Sequence, residues 1–209
     1  MRVMLRMAIA KGRLYDGAVE RLKAAGITVT GDAGRKLLLD TSDAGLQILV
    51  VKPYDVPVYV ETGAADLGIT GGDVLREADA DVLEPLDLGF GACRLVVAAP
   101  EHTAYPNLAH GSTPRVASKY PRLARAHFAA MGRAVEVIEI SGSVEVAPLL
   151  GLADWIVDLV DTGNTLRANG LTERETILES RAILVANRAS QKLKLDAHLR
   201  LMEMMREEK

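Results

Sequence analysis

The chain has 209 residues, of which 49% are hydrophobic and 25% charged, an ordinary composition for a globular protein of one or two domains. Its formal net charge of −3 argues against a general nucleic-acid binder, because such proteins carry a basic excess. Cys93 is the single cysteine, so an intrachain disulfide is excluded, and no apolar run is long enough to span a bilayer.

Short apolar runs typical of buried strands alternate with helical patterns in the first part of the chain. The strands are predicted over residues 4–10, 46–51 and 67–70. The helices are predicted over residues 14–25 and 53–61, and a third begins near Asp73, which can cap it. Arg6 and Lys11 interrupt the first apolar run, unlike a signal peptide, so we expect a cytoplasmic protein without a membrane partner.

A second α/β unit comes next, with a polar, proline-containing loop at residues 102–114. Its strands are predicted over residues 94–99, 115–117, 135–140 and 155–159, and its helix over residues 122–131. A strand at residues 182–186 and a helix at residues 191–206 close the chain. We therefore predict an α/β fold of two lobes, residues 1–91 with 177–209 and residues 92–176, with a ligand cleft between them.

The segment that carries chemistry begins at the end of the predicted strand at residues 155–159 and continues to residue 165. The strand delivers Asp158 and Asp161 and then breaks into Thr162, Gly163, Asn164 and Thr165, called here the Thr-Gly turn. Gly163 permits positive φ or a close approach to a ligand, and the amides and hydroxyls of the turn can donate to a phosphate. Carboxylates upstream suit sugar hydroxyls or a magnesium ion. Phosphate, diol and metal together describe a phosphoribosyl diphosphate.

A simpler explanation is that Asp161 or Thr162 merely caps a helix after a turn. That explanation accounts for Gly163 and one acid. It does not account for two acids at a strand end followed by two threonines.

Residues 158–171 closely resemble the phosphoribosyl diphosphate motif of the ATP phosphoribosyltransferases. Other blocks resemble the same family in the same order, and they are Lys11-Gly12-Arg13, Arg35-Lys36-Leu37, residues 55–60, residues 63–71, Lys119-Tyr120-Pro121 and residues 142–154. The resemblance therefore covers most of the chain, and it implies a two-lobed fold like that of type II periplasmic binding proteins.

The resemblance also implies roles for individual residues. Arg13 and Arg35 would act catalytically on the departing diphosphate. The nucleotide and diphosphate would be bound by Lys11, Arg13, Lys52 and Gly71, and the phosphoribosyl group by Glu145, Asp158, Asp161, Thr162, Gly163, Asn164 and Thr165. Without the resemblance, Lys11-Gly12-Arg13 also fits a solvated loop and Arg35 a surface cation. Lys52 stands where the family usually has arginine, and lysine lacks the bidentate geometry.

The implied reaction joins ATP to 5-phosphoribosyl 1-diphosphate, with Mg²⁺ as cofactor, and opens histidine biosynthesis. The chain resembles the short form of the family, which works with a regulatory subunit similar to histidyl-tRNA synthetase. We therefore expect a hetero-oligomer built on homodimers.

Two other functions remain open at this point. One is a solute-binding module of the same fold that binds an anion without turnover. The other is a phosphoribosyltransferase of the purine-salvage type, which also places two acids before a Thr-Gly loop but leaves the blocks at residues 11–13 and 55–60 unexplained.

Overall fold

The computed structural model describes residues 3–31, 36–106 and 112–206. Contacts divide the chain into two compact units, one formed by Met1–Gly91 with Arg181–Lys209 and the other by Ala92–Ser180. The chain returns to the first unit at Arg181 rather than at the predicted residue 177, because a strand of the second unit continues to Ser180.

The secondary-structure elements alternate along the chain. The strands are β1 (Leu5–Ala10), β2 (Val29–Thr30), β3 (Leu38–Thr41), β4 (Leu46–Val51), β5 (Leu67–Gly71), β6 (Leu83–Asp87), β7 (Cys93–Pro100), β8 (Arg115–Ser118), β9 (Glu136–Glu139), β10 (Trp155–Val160), β11 (Leu171–Ser180) and β12 (Ala182–Ala186). The helices are α1 (Tyr15–Ala24), α2 (Asp55–Glu61), α3 (Gly72–Ala78), α4 (Pro121–Ala130), α5 (Asn164–Ala168), α6 (Arg188–Leu193) and α7 (Leu195–Met205), with a 3₁₀ turn at Val144–Val146.

Within the described ranges, the first unit contains a seven-stranded sheet of order β2-β3-β4-β1-β5-β12-β6. Strand β1 lies at its centre and pairs in parallel with β4 and β5, whereas the outer strands pair antiparallel. The carboxyl ends of β4, β1 and β5 therefore lie side by side, and the residues just after them in the chain are neighbours.

Strand β1 is buried on both faces, and its two faces carry side chains of different size. Met7 and Ile9 pack into one hydrophobic cluster, and Ala8 and Ala10 pack into another with α2. The small face lets the helix approach closely, since a Cβ added at Gly68 on neighbouring β5 would lie 2.8 Å from the side chains on α2. The centre of the sheet is therefore closely packed on both faces.

The second unit contains, in its described part, a five-stranded sheet of order β11-β7-β10-β8-β9. Strands β10, β8 and β9 are parallel neighbours, and β7 pairs antiparallel with β10 and β11. One face is packed by Trp155, Phe128 and Tyr120, and the other by smaller aliphatic residues. The carboxyl ends of three parallel strands thus also lie together in this unit.

A polar network fixes the C-terminal helices to the first sheet. Asp66 accepts hydrogen bonds from the backbone N–H of Arg6 (2.7 Å), from Ser190 Oγ (2.5 Å) and from Lys194 Nζ (2.7 Å). His198 is fully buried, and its Nε2 lies 3.0 Å from Ser190 Oγ. Burial alone would raise the pKa of Asp66, but these hydrogen bonds outweigh it and lower the pKa below its ordinary value.

Several elements differ from the sequence-based predictions. The helix predicted over residues 191–206 is two helices, because Lys194 turns to donate to the carbonyl of Met4 and to Asp66. Asp73 does not cap α3; Gly71 is the N-cap residue, and Asp73 is buried in the first turn. None of the helices in the described ranges has the length and apolar character needed to cross a membrane.

Candidate functional site

The second unit has a pocket at the carboxyl ends of its parallel strands. Its volume is about 370 Å³. The lining residues belong to the last part of β10 or to the segments that follow β8, β9 and β10. They are Lys119, Ser143, Glu145, residues 158–161, the Thr-Gly turn and Leu166. All the residues predicted to bind the phosphoribosyl group therefore line one pocket within a single unit.

Asp158 is a largely buried acid of this pocket. Its side chain is 16% exposed, and its Oδ1 accepts a hydrogen bond from the backbone N–H of Leu159 at 2.8 Å. Burial raises the pKa of Asp158 above its ordinary value and nearby Glu145 adds to the rise, whereas Lys119 and the Leu159 N–H oppose it. The side chain is suited to accept hydrogen bonds from a ligand that brings its own donors, such as a ribose diol.

Lys119 supplies positive charge to the pocket, and the sequence did not mark it as a site residue. Its Nζ lies 3.4 Å from Asp158 Oδ1. Lys119 directly follows β8, which pairs with β10, the strand that carries Asp158. This position at the end of a strand was the one feature of the sequence that could have indicated a role for Lys119. Its effect is to offset part of the charge of the acids.

The Thr-Gly turn has the conformation that its glycine predicts. Gly163 has φ of +76° and is the N-cap residue of the short helix α5. Thr162, Asn164 and Thr165 are exposed, whereas Leu166 is buried and anchors the helix in the core. The turn therefore presents polar side chains to solvent from a fixed hydrophobic base.

Two arginines hold the backbone of this turn. Arg94 on β7 donates from Nη1 to the carbonyl of Asp161 (3.2 Å) and makes a bidentate pair with Glu173 on β11 (2.9 and 2.6 Å). Arg167 on α5 donates from Nη2 to the carbonyl of Thr162 (3.1 Å) and to Asn164 Oδ1 (2.6 Å). Neither arginine was predicted from the sequence to belong to the site.

The predicted nucleotide and diphosphate residues lie together in the first unit. Lys11 and Arg13 follow β1, Lys52 follows β4, and Gly71 ends β5, so all four stand at adjacent carboxyl ends. Lys11 donates its backbone N–H to the carbonyl of Val51 at 2.7 Å, which joins the ends of β1 and β4. Lys11, Arg13 and Lys52 are exposed at this edge, whereas Gly71 is buried.

The loop after β1 is held to the body of the first unit. Gly12 has φ of +94°, and Arg13 donates from Nη1 to the carbonyl of Gly91 at 2.7 Å. Arg35, predicted to act on the departing diphosphate, lies outside the described residues. Among the residues that are described, no three His, Cys, Asp or Glu side chains group closely enough to hold a metal ion.

Comparison with known proteins places this geometry in a family. The family model described as ATP phosphoribosyltransferase matches residues 52–207. The chain is 48% identical to an ATP phosphoribosyltransferase of Sorangium cellulosum over 97% of this chain and 94% of that protein. It is 50% identical to one from Halorhodospira halophila over 92% of this chain and 89% of that protein.

Solved structures that resemble this chain include a member of the same family. The ATP phosphoribosyl transferase (HisG:HisZ) complex from Thermotoga maritima contains a chain that superposes with a TM-score of 0.85 at 32% identity, covering 97% of this chain and 96% of that one. The periplasmic aliphatic sulphonate binding protein SsuA from Escherichia coli superposes with a TM-score of 0.60 at 14% identity, covering 98% of this chain and 72% of that one. The second likeness shows the two-lobed binding-protein fold and nothing about function.

Proposed function

The chain belongs to the ATP phosphoribosyltransferase family, and we propose that it joins ATP to 5-phosphoribosyl 1-diphosphate as the first step of histidine biosynthesis. In this reaction N-1 of the adenine ring forms a bond to the anomeric carbon, and the bond from that carbon to the diphosphate breaks. The products are phosphoribosyl-ATP and diphosphate. The observation that carries the assignment is that Asp158, Asp161 and the Thr-Gly turn line one pocket.

The phosphoribosyl group would bind in this pocket. Asp158 and Glu145 would accept hydrogen bonds from the ribose hydroxyls, because ionised carboxylates are strong acceptors. The Thr-Gly turn would bind the 5′-phosphate through its amides and through the hydroxyls of Thr162 and Thr165. Asp161 is exposed and directly precedes the turn. It would face the anomeric carbon of the sugar.

The chemistry asks for positioning and charge stabilisation rather than for a strong base. N-1 of adenine already carries a lone pair, so no proton has to be removed to form the nucleophile. The leaving diphosphate and the oxocarbenium-like carbon are the species that need stabilisation. Acids near the sugar and cations near the diphosphate meet these two needs.

The cations of the first unit would bind the phosphates. Lys11, Arg13 and Lys52 stand at the adjacent carboxyl ends of β1 and β4, and all three are exposed there. Arg13, with Arg35 after it in the chain, would stabilise the diphosphate as it leaves. Gly71, at the end of β5, would allow the nucleotide to approach the backbone.

Magnesium fits this site as the partner of the diphosphate. Glu145, Asp158 and Asp161 outnumber the single lysine that lines the pocket, and a divalent cation would offset that excess of acid. The described residues provide no cluster that could enclose the ion, and Mg²⁺ commonly keeps waters and substrate oxygens as ligands. When bound, it would neutralise charge on the diphosphate.

We also propose that the chain works in the cytoplasm with a regulatory subunit. The relative from Thermotoga maritima was solved as a complex of two different chains, which supports a hetero-oligomer for this chain as well. We expect the partner to resemble histidyl-tRNA synthetase and the assembly to be built on homodimers.

The test is product identification by mass spectrometry. The purified chain is mixed with Mg²⁺, 5-phosphoribosyl 1-diphosphate and either ATP or free adenine, with and without the regulatory subunit. Phosphoribosyl-ATP from the first mixture supports the proposal. A product from free adenine alone would indicate a purine-salvage enzyme, and binding of both ligands without any product would indicate a binding module.

A further inference from the structure

We propose that Arg94 and Arg167 form a clamp that sets the direction of the backbone amides in the Thr-Gly turn, and that both are positioning residues for the phosphoribosyl substrate. The inference rests on the proposed function, because it assigns the substrate phosphate to this turn. It adds two residues that do not line the pocket themselves.

Two consecutive carbonyls, one just before the Thr-Gly turn and one within it, are held by two different guanidinium groups. The carbonyl of Asp161 accepts from Arg94 at 3.2 Å, and the carbonyl of Thr162 accepts from Arg167 at 3.1 Å. Gly163, with φ of +76°, comes directly after them. The chain direction is thus fixed immediately before the residue that allows it to turn.

Because the peptide bond is planar, fixing the direction of a carbonyl also fixes the direction of the next backbone N–H. In a trans peptide the C=O and the next N–H point in opposite directions. When the carbonyls of Asp161 and Thr162 point toward the arginines, the N–H groups of Thr162 and Gly163 point away from them. Thr162 and Gly163 line the pocket, so the clamp aims preorganised donors at a phosphate there.

Arg94 is itself held in place by its neighbours on the sheet. Glu173 accepts from its Nε and Nη2, and Thr176 donates to the same carboxylate at 3.2 Å. This pairing raises the pKa of Arg94 above its ordinary value and lowers the pKa of Glu173 below its own. Only the remaining Nη1 reaches the turn, so the bidentate pair sets the position from which it donates.

Arg167 holds the second of these carbonyls, that of Thr162. It belongs to α5 and reaches back over Gly163, where an added Cβ would lie 3.1 Å from its Nη1. Its bond to Asn164 Oδ1 also orients that side chain. A lysine at this position would keep the charge but lack the planar guanidinium, whose Nη2 donates to both acceptors.

The experiment measures affinity for 5-phosphoribosyl 1-diphosphate and for ATP by equilibrium titration, together with kcat and KM, in the intact enzyme with its partner if activity requires it. The variants are Arg94→Met, Arg167→Met, Arg167→Lys and Glu173→Gln. The control is Arg76→Met, which removes a comparable bidentate pair with Glu84 (3.0 and 3.0 Å) in the other unit.

If the clamp exists, Arg94→Met and Arg167→Met should each weaken the affinity for 5-phosphoribosyl 1-diphosphate about tenfold, because each loses the alignment of one backbone N–H donor. KM for this substrate rises, kcat at saturation changes by less than about twofold, and ATP affinity and Tm match the control. Arg167→Lys behaves like Arg167→Met. Glu173→Gln should weaken this affinity to a smaller extent. Adding it to Arg94→Met should bring no further loss of affinity, because both changes break the same Arg94–Glu173 pair.

Unchanged affinity for 5-phosphoribosyl 1-diphosphate in Arg94→Met and Arg167→Met would overturn the clamp while leaving the proposed function intact. An equal loss of ATP affinity would overturn it too, since it would indicate a general structural effect. Wild-type affinity in Arg167→Lys would assign Arg167 a charge role instead. A wild-type enzyme that binds no 5-phosphoribosyl 1-diphosphate would overturn the proposed function itself and the clamp with it.

Discussion

Lys119 Nζ lies 3.4 Å from Asp158 Oδ1, and this pair connects the parallel strands β8 and β10 in the lining of the pocket. The Asp158 side chain is largely shielded from solvent, so its negative charge is costly unless something offsets it. Lys119 provides that offset. The pair keeps a charged acceptor available in a place where burial would otherwise favour the neutral acid.

The first prediction concerns the charge of Asp158. Asp158→Asn should lower kcat/KM for 5-phosphoribosyl 1-diphosphate roughly 10- to 100-fold, because a hydrogen bond to a charged acceptor is worth about 1.5–3 kcal/mol. Tm should stay level or rise slightly, since burial disfavours the charged form that is removed. Steady-state kinetics and thermal melts measure both. Asp81→Asn, at an exposed ion pair with Arg188, is the control; equal kinetics in the two variants would contradict the assignment.

The second prediction concerns the dependence on pH. Lys119 lowers the pKa of Asp158, so Lys119→Met should raise that pKa further above its ordinary value. The acidic limb of the profile of kcat/KM for 5-phosphoribosyl 1-diphosphate should then move to higher pH. Exposed Lys23→Met on α1 should leave the profile in place. An acidic limb that does not move in Lys119→Met would show that Asp158 is not the group being titrated.

The third prediction separates backbone strain from function in the Thr-Gly turn. Gly163→Ala should cost about 1–2 kcal/mol of stability, because a side chain at positive φ is strained. Gly132→Ala, at φ of +69° with no atom within 4 Å of the added Cβ, should cost a similar amount. Only Gly163→Ala should also raise KM for 5-phosphoribosyl 1-diphosphate. Chemical unfolding and kinetics on the two variants test the prediction, and a similar rise in KM for Gly132→Ala would count against it.

The fourth prediction concerns the buried network of the first unit. Burial lowers the pKa of His198 below its usual value of 6.5, although Asp66 opposes this. The unfolded chain therefore binds the proton more readily, so the stability is fully present above about pH 6.5 and is lost as the pH falls from there toward the folded pKa. His198→Gln, which can still meet Ser190, should show a smaller fall in Tm between about pH 7.5 and about pH 5.5 than wild type.

Exposed His102→Gln is the control for this titration and should keep the wild-type dependence on pH. If His198→Gln and wild type lose the same Tm over this range, His198 is not the group that links stability to pH.

The strands with buried apolar runs were predictable from the sequence, whereas the polar edge strand β11 was not. Strands β1, β4 and β10 are apolar apart from one polar residue each, and their bounds agree with the predictions to within a residue. Strand β11 was missed because its polar residues break the alternation and because two register shifts interrupt its pairing with β7. Its pairing partner, not its own composition, makes it a strand.

The candidate site was predictable where its residues are consecutive in the chain. Asp158, Asp161 and the Thr-Gly turn form a local strand-to-helix pattern whose chemistry can be read directly. Lys119 could be recognised only by its place directly after β8. Arg94 comes to the turn through the pairing of β7 with β10, and Arg167 through the reach of its side chain from α5, and neither contact leaves a pattern in the sequence.

The most direct test of the account is the affinity of the Thr-Gly turn for the phosphoribosyl substrate. Equilibrium titration with 5-phosphoribosyl 1-diphosphate is compared for wild type, the double variant Thr162→Val with Thr165→Val, and the control Thr172→Val at an exposed position of β11. We predict that the double variant loses affinity roughly 10-fold or more, because two phosphate donors are missing, and that ATP binding and the control are unchanged. Wild-type affinity in the double variant would contradict the placement of the substrate phosphate in this turn.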